Sequence, residues 1–387
     1  MRLLVTFAGG WGHLAPMLPL ARAAAAAGHE VAVAPRPALV AAVEAAGFPA
    51  LATGDPALDP TPVPPADRRP LAPIDPAAED RVLTEAFAGF VARDRAAALA
   101  GHLDAWRPDV VLCDEVDYGT MVVADAAGVP HATVVSMPAG TFVRPALVAG
   151  PVDALRAAHG LAPDPDLAVP ARHLVVVPAP PSFRDPLVPL PVTARFVRPA
   201  DPEPDASSAW SPRGAGRPLV YASLGTAFNQ EAGDLYARIL AGVRDLPVDL
   251  LVTVGRELDP AELGPQPPQV RVERYVPQWA VLRHAAVAVT HGGAGGVTGA
   301  LTHGVPVVAL PLGADQPSNA ARVRALGAGR VLDAVDATPS EIGDAVAALL
   351  GDGPERAEAA RLRDECATLP PHESVVADLV ALAGSSG

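Results

Sequence analysis

The stretch from Val287 to Gln316 constrains the fold of this chain more tightly than any other. An apolar run of Val287, Ala288 and Val289 leads to His291, and Gly292, Gly293, Gly295 and Gly296 follow. A helix-like segment then reaches about His303, Gly304 fits its C-terminal cap, and Val305 to Leu310 reads as a second buried strand. Strand, glycine turn, helix and strand form the unit of a parallel sheet. The glycines also set the chemistry. Without side chains, the backbone N–H groups at the helix start approach a ligand closely, with unsatisfied donors and the positive end of the helix dipole. A diphosphate is the natural guest of Gly292, Gly293, Ala294, Gly295 and Gly296, with His291 as a further donor. Asp315 and Gln316 stand where the next strand ends, on the edge where open α/β sheets bind ligands. A carboxylate beside an amide suits the hydroxyls of a sugar.

The same alternation recurs upstream. Leu3 to Phe7, Glu30 to Ala34, Asp109 to Cys113 and His131 to Ser136 read as buried parallel strands, with helices closed by Gly28, Gly47 and Gly128. The pattern predicts a doubly wound α/β fold. At 387 residues the chain has room for two domains, each with its own core. Residues 201–218 carry Pro, Asp, Ser and Gly without an apolar period and read as a linker. They separate residues 1–200 from a second domain of 219–365, with residues 366–387 as a terminal helical segment. Asp55 to Pro76 is crowded with proline and reads as a long surface loop. One helix is expected from about Ala78 to Trp106.

Composition narrows the partners. A formal charge of −14 argues against nucleic acid and anionic membranes, since no basic field is present to neutralise phosphates. Cys113 and Cys366 make no disulfide framework. Leu3 to Ala8 is too short for a signal peptide, and glycine, proline or charge interrupts every apolar run before it reaches membrane-spanning length. The expectation is a soluble cytoplasmic protein.

The ordered set Pro277-Gln278, His291-Gly292-Gly293, Gly304-Val305-Pro306 and Asp315-Gln316 resembles the donor-binding signature of family-one, GT-B-fold glycosyltransferases. The likeness is greatest to the actinomycete enzymes that glycosylate macrolides and other natural products, and it covers Tyr275 to Gln316. It implies two facing Rossmann-like domains with a cleft between them, the last helix packing back on the first domain. The segment Tyr275 to Leu282, with Val276 and Gln278, is similar to the part that grips the nucleotide base. Ser223 and Thr226, after the strand opening the second domain, are then candidates to donate hydrogen bonds to the phosphates. Gly12-His13-Leu14-Ala15-Pro16 matches the family's Gly-His-x-x-Pro pattern, whose histidine resembles a general base. A neutral imidazole takes the proton of an acceptor hydroxyl near physiological pH. Strand tips of one parallel sheet converge, so Asp114 can reach the His13 ring, and the resemblance assigns an aspartate there as partner. Glu115 and Asp117 are its rivals. Trp11, Phe87, Phe90, Met137 and Phe142 are candidates to line an apolar acceptor pocket, although each taken alone reads equally as core.

Two departures matter. Many family members carry Thr or Ser where Gly296 stands, and Glu where Gly299 stands; the glutamate resembles a ribose clamp. Its loss suits a deoxyribose nucleotide such as dTDP, with UDP as the alternative. The resemblance thus implies an inverting glycosyltransferase that moves a sugar to a lipophilic natural-product acceptor, with no metal and no cofactor beyond the sugar nucleotide. Three rivals stay open: a sugar-nucleotide epimerase on the same fold, a non-catalytic auxiliary subunit, and an NADP-dependent oxidoreductase. The last rests on Gly10-Trp11-Gly12-His13-Leu14-Ala15, which fits a dinucleotide fingerprint with Arg36 beyond the second strand. The acceptor, the attacked atom, the sugar and the choice between monomer and homodimer stay open at this point.

Overall fold

Two parallel sheets of six strands each carry the molecule. The computed structural model describes residues 1–54, 56, 68, 70–204, 210–212, 216–226 and 228–384. Parts of the proline-crowded loop and of the linker therefore lie outside the described residues.

The first sheet contains β1 (Arg2–Thr6), β2 (Glu30–Ala34), β3 (Val110–Asp114), β4 (His131–Val134), β5 (Val175–Val177) and β6 (Ala194–Phe196), in the order β2-β1-β3-β4-β5-β6. β1 is central, with Leu4 opposite both Ala32 and Val111. Leu3, Leu4, Val5 and Thr6 are fully buried. Helices cover both faces, which is why the strand reads as a continuous apolar run instead of an alternation. β6 has no counterpart in the sequence reading, because three residues among prolines carry no period. The second sheet contains β7 (Leu219–Ser223), β8 (Asp249–Thr253), β9 (Val270–Glu273), β10 (Ala285–Thr290), β11 (Val307–Ala309) and β12 (Gly329–Val331), in the order β12-β11-β10-β7-β8-β9.

Strand order places the sites. In the first sheet the chain runs from β1 to β2 on one side and then returns to β3 on the other. Connections that leave in opposite directions open a crevice at the carboxyl ends of β1 and β3. The second sheet has the same reversal between β7 and β10. Each half thus owns one switch point, and each holds a histidine.

The helix expected from Ala78 to Trp106 is continuous but not uniform. It comprises Pro76–Arg81, a π-helical stretch Val82–Val91, and Ala92–Trp106. Asp75 caps its start by accepting the Ala77 N–H at 2.9 Å. The last helix, Glu373–Gly384, packs on the helix Leu18–Ala26 of the first half. Val375, Val376 and Leu379 there join the core that includes Leu3, Val5 and Leu112. A second junction lies at residues 182–183, where Arg322 donates to the carbonyls of Phe183 and Ser182 at 3.0 and 2.9 Å. Ser182 in turn donates its N–H and hydroxyl to Glu365 at 2.9 and 3.0 Å. No helix among the described residues is long and apolar enough to cross a membrane.

Candidate active site

At the first switch point, the turn after β1 brings His13 against the tip of β3. Its Nδ1 lies 3.2 Å from Asp114 Oδ2. The ring rests on the backbone of Gly9, where a Cβ would lie only 2.0 Å from a ring carbon, so this close approach needs glycine. Asp114 is fully buried and held by two further donors, the N–H groups of Ala8 and Val116, each at 2.8 Å. Burial works against ionisation of the pair, but the mutual attraction and the hydrogen bonds outweigh it. His13 is raised above its ordinary value, with Asp315 and Glu115 adding to the effect, and Asp114 is lowered. With Nδ1 facing Asp114, Nε2 is the nitrogen left for chemistry.

The rivals of Asp114 have other occupations. Asp117 is fully buried and pairs with Arg95, itself 1 % exposed, at 3.1 Å. Asp117 also accepts from the Thr120 hydroxyl at 2.7 Å and caps the helix Tyr118–Ala126. Its charge is consumed in a buried ion pair, which sets aside this rival and leaves Asp114 as the carboxylate on His13. Glu115 accepts the Met137 N–H at 2.6 Å. Burial pushes its carboxyl up to about 7, with the Met137 bond and nearby Arg184 pulling down and Asp114 pushing up.

The second switch point holds His291 after β10. The imidazole lies between Gly225 and Gly293, where added Cβ atoms would stand 2.6 and 2.5 Å from it. Thr290 Oγ1 is 3.3 Å from its Nδ1, and a hydrogen bond to the Ser223 backbone adds a second tie. No carboxylate compensates for burial here, so the ring is held neutral, pushed down to about 4. The helix Ala294–Thr302 starts beside it with Gly293 as N-cap and no side-chain cap. The first helical hydrogen bond is donated by Val297 to Gly293, at 3.0 Å. The N–H groups of Gly295 and Gly296 therefore have no helical acceptor and remain for a ligand. Thr290 Oγ1 also takes the Gly292 N–H at 3.3 Å and lies 2.8 Å from where a Cβ at Gly296 would stand. The hydroxyl missing from position 296 thus has a neighbour in its place, signalled in the sequence only by the threonine before His291.

Gln278 donates Nε2 to the Gly295 carbonyl at 2.8 Å, and the same nitrogen lies 3.0 Å from where a Cβ at Gly299 would stand. Its amide crosses the space that a side chain at 299 would enter. Val276 has a buried side chain in the second core, so only its backbone is left to meet a base. Ser223 is half-buried beside His291, whereas Thr226 is exposed. Asp315 accepts from Asn319 at 2.7 Å. Burial raises its carboxyl, and the Asn319 bond and His13 oppose that rise, which places the two halves within electrostatic reach of each other. Gln316 turns its amide oxygen inward, accepting the N–H groups of Leu312 and Gly313 at 2.7 and 3.2 Å.

The apolar candidates divide. The Phe87 ring lies 5.9 Å from that of His13, at the mouth of the first crevice. Met137 and Phe142 are 8 % exposed and belong to the core, with Trp11 packed against the other face. Phe90 is 48 % exposed on the same helical stretch as Phe87, turned away from that core.

Known proteins share this arrangement. The family of erythromycin biosynthesis protein CIII-like C-terminal domains matches residues 237–382. L-demethylnoviosyl transferase of Streptomyces niveus is 34 % identical over 98 % of both chains. Aklavinone 7-beta-L-rhodosaminyltransferase of Streptomyces galilaeus is 31 % identical over 97 % of this chain and 94 % of its own. The solved structure of spinosyn rhamnosyltransferase SpnG complexed with thymidine diphosphate superposes with a TM-score of 0.78 at 26 % identity, over 98 % of this chain and 100 % of that one. Sequence identity that runs the whole length of both chains, on top of two facing sheets with a switch-point histidine each, makes this protein a member of the actinomycete natural-product glycosyltransferases of the GT-B fold.

Proposed function

We propose that the protein is an inverting glycosyltransferase that moves a sugar from a nucleoside diphosphate to a hydroxyl of a lipophilic natural-product acceptor. The observation that carries this reading is the pairing of His13 with buried Asp114 at 3.2 Å at one switch point, with the uncapped helix start at Gly293 at the other. Nε2 of His13 takes the hydroxyl proton, and Asp114 stabilises the resulting imidazolium. The acceptor oxygen bonds to the anomeric carbon from the face opposite the diphosphate. The bond from that carbon to the diphosphate oxygen breaks, and its electron pair leaves with the nucleotide. The open N–H groups of Gly295 and Gly296, beside the neutral His291 ring, meet the charge that develops there. These donors need no metal and no cofactor to act.

A dTDP-deoxysugar is the favoured donor, with a UDP-sugar second. Position 299 offers no carboxylate to two ribose hydroxyls, and Gln278 spans the space instead. The thymidine diphosphate bound to the spinosyn relative supports the same choice. Phe87 beside His13 gives the acceptor an apolar wall.

Calorimetric titration with dTDP, UDP and NADP in parallel tests the reading. Binding of dTDP more tightly than UDP is the expected result. A preference for UDP overturns the Gly299 argument, and binding of NADP alone overturns the transferase.

A further inference from the structure

Three consecutive N–H groups, those of Leu312, Gly313 and Ala314, form the inner edge of the loop that presents Asp315. The first two are taken by Gln316 of the same loop. The third is taken from the opposite domain: Glu79 Oε2 accepts the Ala314 N–H at 3.0 Å. Ala314 has φ +52°, a left-handed conformation that a residue with a Cβ adopts at a cost and keeps only when its surroundings fix it. Gly313 makes the approach possible, because a Cβ there would lie 2.9 Å from Glu79 Oε1.

Glu79 does not reach across alone. Upstream, Arg68 pairs with Glu262 of the second domain at 2.6 Å, and Leu71 packs into that domain's core beside Gly233. Downstream, the same continuous helix carries Phe87 to the His13 ring. One element therefore touches the sugar-presenting loop at one end and the base at the other.

We propose that Glu79 is a positioning residue for sugar transfer, completing from the acceptor side the loop that sets Asp315 opposite His13. This rests on the transferase reading above. The loop adopts its working shape only when the two halves are closed on each other. Nucleotide binding uses the helix start at Gly293, which is tied to Asp315 through Asn319, whereas Glu79 contacts the loop at Gly313 and Ala314.

The test compares Glu79→Ala with Glu79→Gln, whose amide oxygen still accepts the Ala314 N–H. Hydrogen–deuterium exchange of a peptide spanning residues 310–318 reports the loop without any substrate. Steady-state kinetics with a dTDP-sugar and a hydroxylated aglycone report transfer. Glu79→Ala should speed exchange in that peptide and lower kcat by roughly 10-fold or more, since small misplacements of reacting groups cost at least that much. The Kd for dTDP should stay within about two-fold of wild type, and Glu79→Gln should restore both exchange and kcat. Unchanged exchange in Glu79→Ala, or faster exchange with an unchanged kcat, overturns the proposal. Wild-type protein that transfers from no dTDP-sugar defeats the donor assignment of the preceding section, while the exchange difference still decides for or against Glu79.

Discussion

His13 and His291 stand at the switch points of their two sheets, one after the first strand of its sheet and the other after the strand across the switch from it, and are tuned in opposite directions. Both follow a strand that borders a switch point, both rest on glycine backbone, and both lose solvation to burial. The difference is the carboxylates around the ring, Asp114 foremost. Asp114 faces His13 at 3.2 Å and, with Asp315 and Glu115, raises it; His291 has only Thr290 and the Ser223 backbone and is pushed down to about 4. A raised imidazole attracts a proton and suits a base that receives one. A depressed imidazole stays neutral and adds a polar wall without charge, which suits a site already polarised by a helix start. The topology thus supplies two positions, and the neighbours assign the tasks.

The strongest way to break this contrast is to remove each ring in turn. His13→Ala should lower kcat by about 10²–10⁴-fold, the usual contribution of a general base, and leave the calorimetric Kd for dTDP unchanged. Equal loss of binding and turnover would dissolve the distinction between the two histidines. Removing the carboxylate is the next largest step. Asp114→Asn keeps a hydrogen-bond acceptor but loses the charge, and a fall in kcat on the order of 10²-fold is expected. In the wild type, kcat/KM should rise with pH through an inflection above the ordinary histidine value, and in Asp114→Asn that inflection should move down. An inflection that stays in place would mean another group sets it.

A smaller effect sharpens the other half of the comparison. Gly293→Ala puts a Cβ 2.5 Å from the present position of the His291 Nε2, so the ring must move. Loss of one hydrogen bond to a charged group costs about 1.5–3 kcal/mol, so dTDP affinity should fall roughly 10-fold or more in calorimetry while kcat at saturating donor changes less. The smallest effect is on stability. A histidine whose folded pKa is lowered resists protonation in the native state, so His291 should cost stability as pH falls from about 6.5 towards 4. His13, raised, does the reverse: its contribution is complete below about 6.5 and is lost as pH rises through its folded value. Urea midpoints measured across pH 4–8 should therefore lose part of their acid-side slope in His291→Gln and keep it in His13→Gln. Identical slopes in the two variants would remove the electrostatic basis of the contrast.

Much of this was legible because the residues involved are local in sequence. Val287 to Gln316 announces strand, glycine turn, helix and strand by composition alone, and His13 follows the first strand within one turn. Asp114 is legible as a strand tip, but its advantage over Asp117 is not. That choice depends on Arg95, which sits on a helix spaced 22 residues away and neutralises Asp117 across the sheet face. Phe87 and Phe90 are only three residues apart, yet the first meets His13 and the second faces solvent. The π-helical stretch that contains them rotates side chains away from the ordinary helical spacing. Glu79 had no signal at all, since its partner Ala314 is 235 residues distant and belongs to the other domain. Contacts across the cleft follow from how the halves meet, and no period records that.

The helix Glu373–Gly384 has a consequence for how the protein can be divided. Val375, Val376 and Leu379 fill a core whose other members begin at Leu3. The first half is therefore discontinuous in the chain, its core closed by a helix that lies beyond the second half in sequence. Exchange of modules between relatives, if cut only at residues 201–218, separates the first core from its own closing helix. A chimera that respects the packing needs a second joint between Thr368 and Glu373.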